Sequence, residues 1–335
     1  MKALILKRYG GLQHLEISEV PRPAIKPDEI LVKVHAAGLN PIDYMIPKGS
    51  FKPILRFKLP ATMGSDLAGV VVEVGSRVRR FKPGDAVFAS VFDLGIGALA
   101  EFAAVPERVA AFKPANLDFV QAASVPMVGL TSWQALVERM QLRPGQKVFI
   151  PAGSGGIGTF AIQLAKHLGA QVGTTTSTGN VDLVRSLGAD EVVDYKKREF
   201  EDELRGYDGV LGTIRGDGLE KSLQVLRPNS SIVSLIGPPD AAFAQKRGMN
   251  FVLKFVFTLL SSKIIRLAKK HEARYSFLFM RPDGQQLGKI AELLETSRIR
   301  PIVDKVFPFN QAKEGLAYLE QGRAKGKVVV QMVAS

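Results

Sequence analysis

The residues with the clearest chemistry are Gly153-Ser154-Gly155-Gly156-Ile157-Gly158. Gly153, Gly155 and Gly158 have the spacing of a dinucleotide fingerprint, in which each glycine lacks a Cβ for its own reason. Gly153 can take positive φ in a tight turn. At Gly155 a pyrophosphate can approach bare backbone, and at Gly158 a helix can pack closely on a strand. The unpaired N–H groups at the start of that helix then face the phosphates, so Ser154, Gly156 and Ile157 belong to the same candidate site. Glycines at this spacing are weak evidence in a chain that holds 32 of them. What makes them specific is a strand before and a helix after. Both are expected: a strand over Val148–Ile150 and a helix over Thr159–Leu168, stopped by Gly169, with a second strand over Gln171–Thr176.

The end of that second strand bears on which dinucleotide is held. An NAD site usually carries an acidic residue about 20 residues after the motif, bonded to the ribose 2′-OH. Here the segment reads Thr174-Thr175-Thr176-Ser177-Thr178-Gly179-Asn180, and no carboxylate occurs between Gln171 and Val181. Hydroxyl groups such as those of Thr176 and Ser177 can hold a 2′-phosphate that a carboxylate would repel. The expected cofactor is therefore NADPH rather than NADH. The loop has no cation of its own; Arg185, or Lys196 and Lys197 beside Tyr195, would have to supply it.

Other chemistries are poorly provided for. The chain has no cysteine, which excludes disulfides and thiolate metal sites. Its four histidines, His14, His35, His167 and His271, show no ligand spacing. Catalytic zinc needs three protein ligands, so no metal is expected. The formal charge of +13 invites a nucleic-acid reading. The basic residues are mostly scattered and no nucleic-acid motif is present, so no such partner is expected. The opening MKALILKRYGG reads as a strand rather than a signal peptide, and no run of about 18 apolar residues could span a bilayer. The cytoplasm is the expected compartment.

The elements that must position these residues fall into two kinds. Residues 1 to about 113 read as mostly β, with strands over Ala3–Leu6, Ile30–Ala37, Gly69–Val74 and Ala86–Ala89 punctuated by Pro and Gly turns, which suggests a partly closed barrel. Asp118 and Gln121 have capping-box spacing, and a further helix is expected over Thr131–Met140. After the glycine turn, strands at Glu191–Asp194, Gly209–Gly212 and Ile232–Ile236 alternate with helical patterns, as in a parallel sheet covered on both faces. Ligands on such a sheet bind beyond the strand carboxyl ends, where Tyr195, Leu211, Gly212, Ile236 and Gly237 fall. An amphipathic helix through Leu287, Ile290, Leu293 and Leu294, a helix capped by Asn310, and a strand over Lys327–Val330 are expected in the last section.

Taken together, Gly38-Leu39-Asn40-Pro41-Ile42-Asp43-Tyr44, Gly64-Ser65-Asp66-Leu67-Ala68-Gly69-Val70-Val71, Phe81-Lys82-Pro83-Gly84-Asp85, Ala152–Gly158 and Leu187-Gly188-Ala189-Asp190 give the chain a specific likeness. It resembles the medium-chain dehydrogenase/reductase superfamily over nearly its whole length, and within it the zinc-free quinone oxidoreductases. The zinc alcohol dehydrogenases place cysteine and histidine where Asn40 and Ser65 stand. The resemblance implies an α/β chain of two domains: a GroES-like β-rich catalytic domain (1–126 and 266–335) and a Rossmann doubly wound parallel-sheet domain (127–265). It also implies an active site in the cleft between them, and a homodimer. By the same resemblance Asn40 lies near the nicotinamide ribose, Asp43 and Tyr44 at the substrate cleft, Thr131 at the nicotinamide end, and Arg323 in a segment closing over the cofactor. Turn formation and capping are the structural alternative for Asn40 and Asp43, and an N-cap role for Thr131. Lys48 is an oxyanion donor or a surface charge.

Hydride delivered to a conjugated carbonyl or quinone leaves an enolate or phenolate, which is less basic than the alkoxide from a simple ketone. A site without metal therefore suits quinones and α,β-unsaturated carbonyls (enals, enones). A zinc-free enoyl-thioester reductase and a redox-silent NADPH-binding protein are the alternatives. Lys246–Arg274 stands apart: it carries eight basic residues in and around the apolar run Phe251–Leu260. It reads first as a helix packed at the domain junction, its apolar side on the pocket or a dimer partner, and second as a membrane-surface helix.

Overall fold

Strand Glu29–Leu39 is the spine of the first of two units. Its residues are buried almost without interruption, as in a strand covered on both faces. It pairs antiparallel with Asp66–Val74, and the register shifts between Leu31 and Val32 and between Val34 and Ala36. Such bulges bend a strand. Its other edge serves two partners in succession: Glu29–Lys33 pair with Phe102–Pro106, and Ala36–Leu39 pair with Lys327–Gln331. The sheet runs Val303–Pro308, Lys327–Gln331, Glu29–Leu39, Asp66–Val74, Ala86–Ser90, Ala110–Phe112. A small antiparallel sheet of Leu15–Glu19, Lys2–Leu6 and Ala61–Thr62 completes the β structure of this unit. The structure, a computed structural model, describes residues 1–52, 54, 55 and 57–333.

The second unit holds a six-stranded sheet in the order Glu191–Asp194, Gln171–Thr176, Lys147–Ile150, Tyr207–Gly212, Leu226–Ser234, Arg274–Phe277, with every pair parallel. In chain order that is 3-2-1-4-5-6, the doubly wound arrangement, and the order reverses between Lys147–Ile150 and Tyr207–Gly212. The core on one face gathers Phe149, Tyr207, Val210 and Ile232 with helix residues Leu219, Leu223, Ile264 and Ala268.

The chain divides into Met1–Leu130 with Arg281–Ser335, and Thr131–Met280. The return to the first unit comes later than residue 266, because helix Phe251–Lys270 and strand Arg274–Phe277 belong to the parallel-sheet unit. Two local expectations fail. The helix expected from Thr131 starts at Pro126, a residue pre-set for a first helical position, and continues past Trp133 as a π-helical stretch, Gln134–Arg139. Asn310 does not cap: it sits inside the 3-10 turn Phe309–Gln311 that precedes helix Ala312–Glu320. The box at Asp118 is present, with Gln121 N–H on Asp118 Oδ1 at 2.7 Å and Asp118 N–H on Gln121 Oε1 at 3.2 Å.

Candidate active site

The glycine turn joins strand Lys147–Ile150 to helix Gly156–His167, beside the point where the strand order reverses. The residue with positive φ is Ala152 (φ 55°), not Gly153 as expected. Gly153 is bare for another reason: a Cβ there would stand 2.2 Å from Thr174 Oγ1. At Gly158 a Cβ would meet Ala152 O at 2.5 Å and Gly153 Cα at 2.6 Å, so turn and helix require a glycine to close. Gly155 is different. Its Cβ would meet only Ala152 O, at 3.3 Å, so internal packing scarcely constrains it and the bare face is left for something outside the chain. Gly155 is the N-cap of a twelve-residue helix, whose first N–H groups and dipole favour an anion. The turn is pinned to the next strand by Ala152 N–H on Thr175 Oγ1 (3.0 Å) and Gly153 N–H on Thr175 O (2.9 Å). These residues fit a dinucleotide pyrophosphate.

At the end of Gln171–Thr176 the polar side chains converge on Ser154. Its Oγ accepts from Thr176 Oγ1 (3.0 Å) and Asn180 Nδ2 (3.2 Å), and Asn180 Nδ2 also reaches Ser177 Oγ at 3.2 Å. Tyr195, largely exposed, is tied to the same place through its N–H on Thr176 O (3.1 Å). One group here was not foreseen. Asp194 lies opposite Thr176 on the neighbouring strand, and its carboxylate accepts from Thr178 Oγ1 (2.6 Å) and Lys196 N–H (3.1 Å), with Lys197 Nζ at 3.7 Å. The Thr178 bond, with the Lys196 N–H and the Lys197 charge, holds its carboxyl below the usual range. The sequence window 171–181 contains no carboxylate, but parallel pairing delivers one from the next strand.

The other expected cofactor residues are more dispersed. Leu211 is wholly buried within Tyr207–Gly212. Ile236 and Gly237 follow the carboxyl end of Leu226–Ser234, and Ser234 Oγ donates to Gly237 O at 2.8 Å. Thr131 is buried in the helix Pro126–Trp133 rather than capping it. Arg323, in the first unit, is exposed on the turn before strand Lys327–Gln331.

The first unit contains a second polar constellation, assembled from three segments. Asn40 caps the short helix Pro41–Met45, with Pro41 at its first position, and Asp43 Oδ2 accepts from Asn40 N–H at 2.8 Å. Asp43 Oδ1 accepts from Ser65 Oγ at 2.8 Å. Asn40 Nδ2 donates to Asp66 Oδ2 at 2.9 Å, which also takes Met127 N–H at 3.0 Å. Lys327 closes the cluster, its Nζ donating to Leu39 O (2.7 Å) and Asn40 Oδ1 (2.5 Å), 3.9 Å from Asp66 Oδ2. All five side chains are buried. Asp43, expected at the substrate cleft, instead turns its carboxylate into this buried cluster, where it caps and positions the segment. Tyr44, next to it, is half-buried, and Lys48 lies over its ring at 5.8 Å while pairing with Glu320.

Two carboxyls and one ammonium buried together are neutral only if a proton is retained. Burial pushes Asp43 up to about 7, opposed by its bonds from Ser65 and Asn40. Burial also raises Asp66 and lowers Lys327, each opposed by the charge of the other. Asp66 Oδ1 has no partner among the described residues. Asn40 and Ser65 stand at the positions noted above for metal ligands, yet Asn40 Oδ1 accepts from the Lys327 ammonium and Ser65 Oγ donates to Asp43. Among the described residues no three His, Asp or Glu side chains are grouped to hold a metal ion. This donor set does not fit zinc.

A dinucleotide-binding parallel sheet, inserted in sequence within a β-rich unit, defines a pyridine-nucleotide oxidoreductase. Residues 26–115 match the alcohol dehydrogenase GroES-like domain family, and residues 187–330 a family described as zinc-binding dehydrogenase. The chain is 36% identical over 344 residues to 2-methylene-furan-3-one reductase of Solanum lycopersicum, covering 98% of this chain and 79% of that protein. It is 36% identical over 345 residues to the chloroplastic NADPH-dependent alkenal/one oxidoreductase of Arabidopsis thaliana, with the same 98% and 79% coverage. The solved quinone oxidoreductase of Coxiella burnetii superposes with a TM-score of 0.85 at 30% identity, over 99% of both chains. The chain belongs to the medium-chain dehydrogenase/reductase superfamily, in its zinc-free quinone oxidoreductase family.

Proposed function

We propose that this enzyme uses NADPH to reduce quinones or α,β-unsaturated carbonyls without a metal ion. The observation that carries the reading is the lysine-filled cluster: Lys327 bonds Asn40, and Ser65 is committed to Asp43. With no Lewis acid at that place, acceptors whose reduced oxygen is only weakly basic are the ones the site can serve. Relatives named as an alkenal/one oxidoreductase and a furanone reductase support that class.

Bound NADPH would supply the hydride. The glycine turn, Gly153 to Gly158, holds the pyrophosphate through backbone N–H groups. Ser154, Thr176, Ser177 and Asn180 hold the 2′-phosphate, with Lys196 and Lys197 offsetting Asp194. Tyr195, Leu211, Ile236 and Gly237 border the cofactor along the strand ends, Thr131 belongs to its nicotinamide end, and Arg323 to the segment that the resemblance has closing over it. Asn40 is fixed by Lys327, Asp66 and Asp43 so that its backbone does not shift. Tyr44 orients the acceptor oxygen, and solvent returns the proton. The same reading places a homodimer in the cytoplasm.

NADPH oxidation followed optically in EDTA, with a quinone and a conjugated enal side by side and NADH as control, tests it. Turnover that survives EDTA and prefers NADPH is expected. Tight NADPH binding with no turnover on either acceptor overturns the substrate class, and loss of activity in EDTA overturns the metal-free reading.

A further inference from the structure

Helix Phe251–Lys270 uses only one stripe for the fold. Phe257, Ser261, Ile264 and Ala268 are its buried residues. Ile264 and Ala268 join the sheet core, and the Phe257 ring lies 6.0 Å from Phe243. The opposite stripe is exposed and changes character along the axis. At 3.6 residues per turn, Phe251, Phe255, Leu259, Arg266 and Lys269 fall within about 80° of arc. The first half of that stripe is apolar: Phe251 is 83% exposed, Phe255 62% and Leu259 57%, with Val252 and Leu260 beside them. The second half is cationic, with Arg266, Lys269 and Lys270 all exposed. The apolar end is a well-formed helix start, with Leu253 N–H on Asn250 Oδ1 at 3.0 Å.

A large apolar patch bordered by charge marks an interaction surface, and the charge says what kind. Between Lys246 and Arg274 eight basic residues face Glu272 as the sole acid of the segment, and among the described residues Lys263 is the one helix cation in an ion pair, with Glu220 at 2.6 Å. A second copy meeting it through the same face would bring a second set of eight basic residues and, from this segment, only Glu272 to meet them. An anionic bilayer meets both halves at once: its acyl boundary takes Phe251, Phe255 and Leu259, and its phosphates take Arg266, Lys269 and Lys270. No helix among the described residues is long and apolar enough to cross a membrane, so the contact is one of lying on the surface. We propose that the outer face of Phe251–Lys270 is a docking surface for anionic lipid, its apolar half inserted and its basic half on the headgroups. The packed-helix reading of this segment holds for its inner stripe alone.

Co-sedimentation of the full chain with phosphatidylcholine vesicles, with and without phosphatidylserine, tests this independently of catalysis. Binding is expected only with phosphatidylserine and is expected to weaken as salt rises. The triple variant Arg266→Gln, Lys269→Gln, Lys270→Gln is expected to weaken it about 100-fold, at roughly fivefold per headgroup-facing cation. Phe255→Ser with Leu259→Ser is expected to weaken it at least ~10-fold. These side chains are exposed, and circular dichroism with retained NADPH binding checks folding. No sedimentation with anionic vesicles at low salt overturns the proposal. So does an unchanged affinity in the serine variant, which would mark a surface reading charge alone, as an acidic protein partner would. Self-association of the chain that is abolished by the same serine substitutions, without vesicle binding, would assign the face to a second copy.

Discussion

The glycine turn and the Asn40–Lys327 cluster are both polar, both built on strand ends, and opposite in design. The turn is contiguous in sequence and offers backbone N–H groups outward; its side chains are mostly absent. The cluster draws on segments 287 residues apart and turns its charges inward, where each must be satisfied by the others. One is made by leaving atoms out and the other by packing opposite charges together. The lesson is that a cofactor cradle tolerates almost no added volume, whereas the cluster tolerates almost no lost charge.

The largest effect expected from that contrast is at Lys327. Lys327→Met keeps the volume but leaves Asp66 and Asn40 without their cation, and breaking a buried pair in this way costs about 3–5 kcal/mol. Urea unfolding reads it directly; a loss below about 1 kcal/mol would mean the cluster is not held by its charges. Next come the glycines, compared with each other. Gly158→Ala forces backbone apart and should cost about 1–3 kcal/mol as well as NADPH binding. Gly155→Ala should leave stability nearly unchanged while weakening NADPH by about tenfold, or ~1.4 kcal/mol, read by fluorescence titration. Equal stability losses in the two variants would erase the distinction between a glycine the fold needs and one the ligand needs.

The smallest effect is with pH. Burial raises Asp43 to about 7 from an ordinary value near 3.9. A carboxyl raised on folding favours the folded state in its protonated form. Its contribution is complete below the unfolded value and is lost as pH rises through about 7. Between pH 6 and 8 the loss is about 1 kcal/mol. Thermal midpoints measured over that range should fall in the native chain and fall less in Asp43→Asn. Parallel slopes would assign the retained proton to another group of the cluster.

How much of this could be read from residues alone follows the same division. Gln171–Thr176 and Glu191–Asp194 have the bounds that apolar runs and turn residues suggest, and the glycine turn lies where its motif requires. Local signals suffice there because each element is set by its own residues. Arg274–Phe277 and Val303–Pro308 were not legible, since their strand character comes from distant pairing partners. Asp194 escaped for the same reason: adjacency across a parallel sheet has no sequence spacing. Lys327 is the clearest case. Lysine is almost never fully buried unless paired, and nothing local to Gly326-Lys327-Val328 announces that two carboxyls wait for it. Asp43 showed the converse, where capping spacing was visible and the cleft position suggested by resemblance was not what its side chain does.

The double use of strand Glu29–Leu39 has a consequence for synthesis. Its Ala36–Leu39 half pairs with Lys327–Gln331, so a ribosome makes the edge long before the strand that covers it. Throughout that interval the whole parallel-sheet unit, Thr131–Met280, emerges and has everything it needs to fold, whereas the first unit lacks its closing strand and its buried cation. Domains that fold as units tend to do so in order of emergence. Here the middle of the chain is finished first, and the open edge at Ala36–Leu39 is the surface a chaperone would have reason to guard.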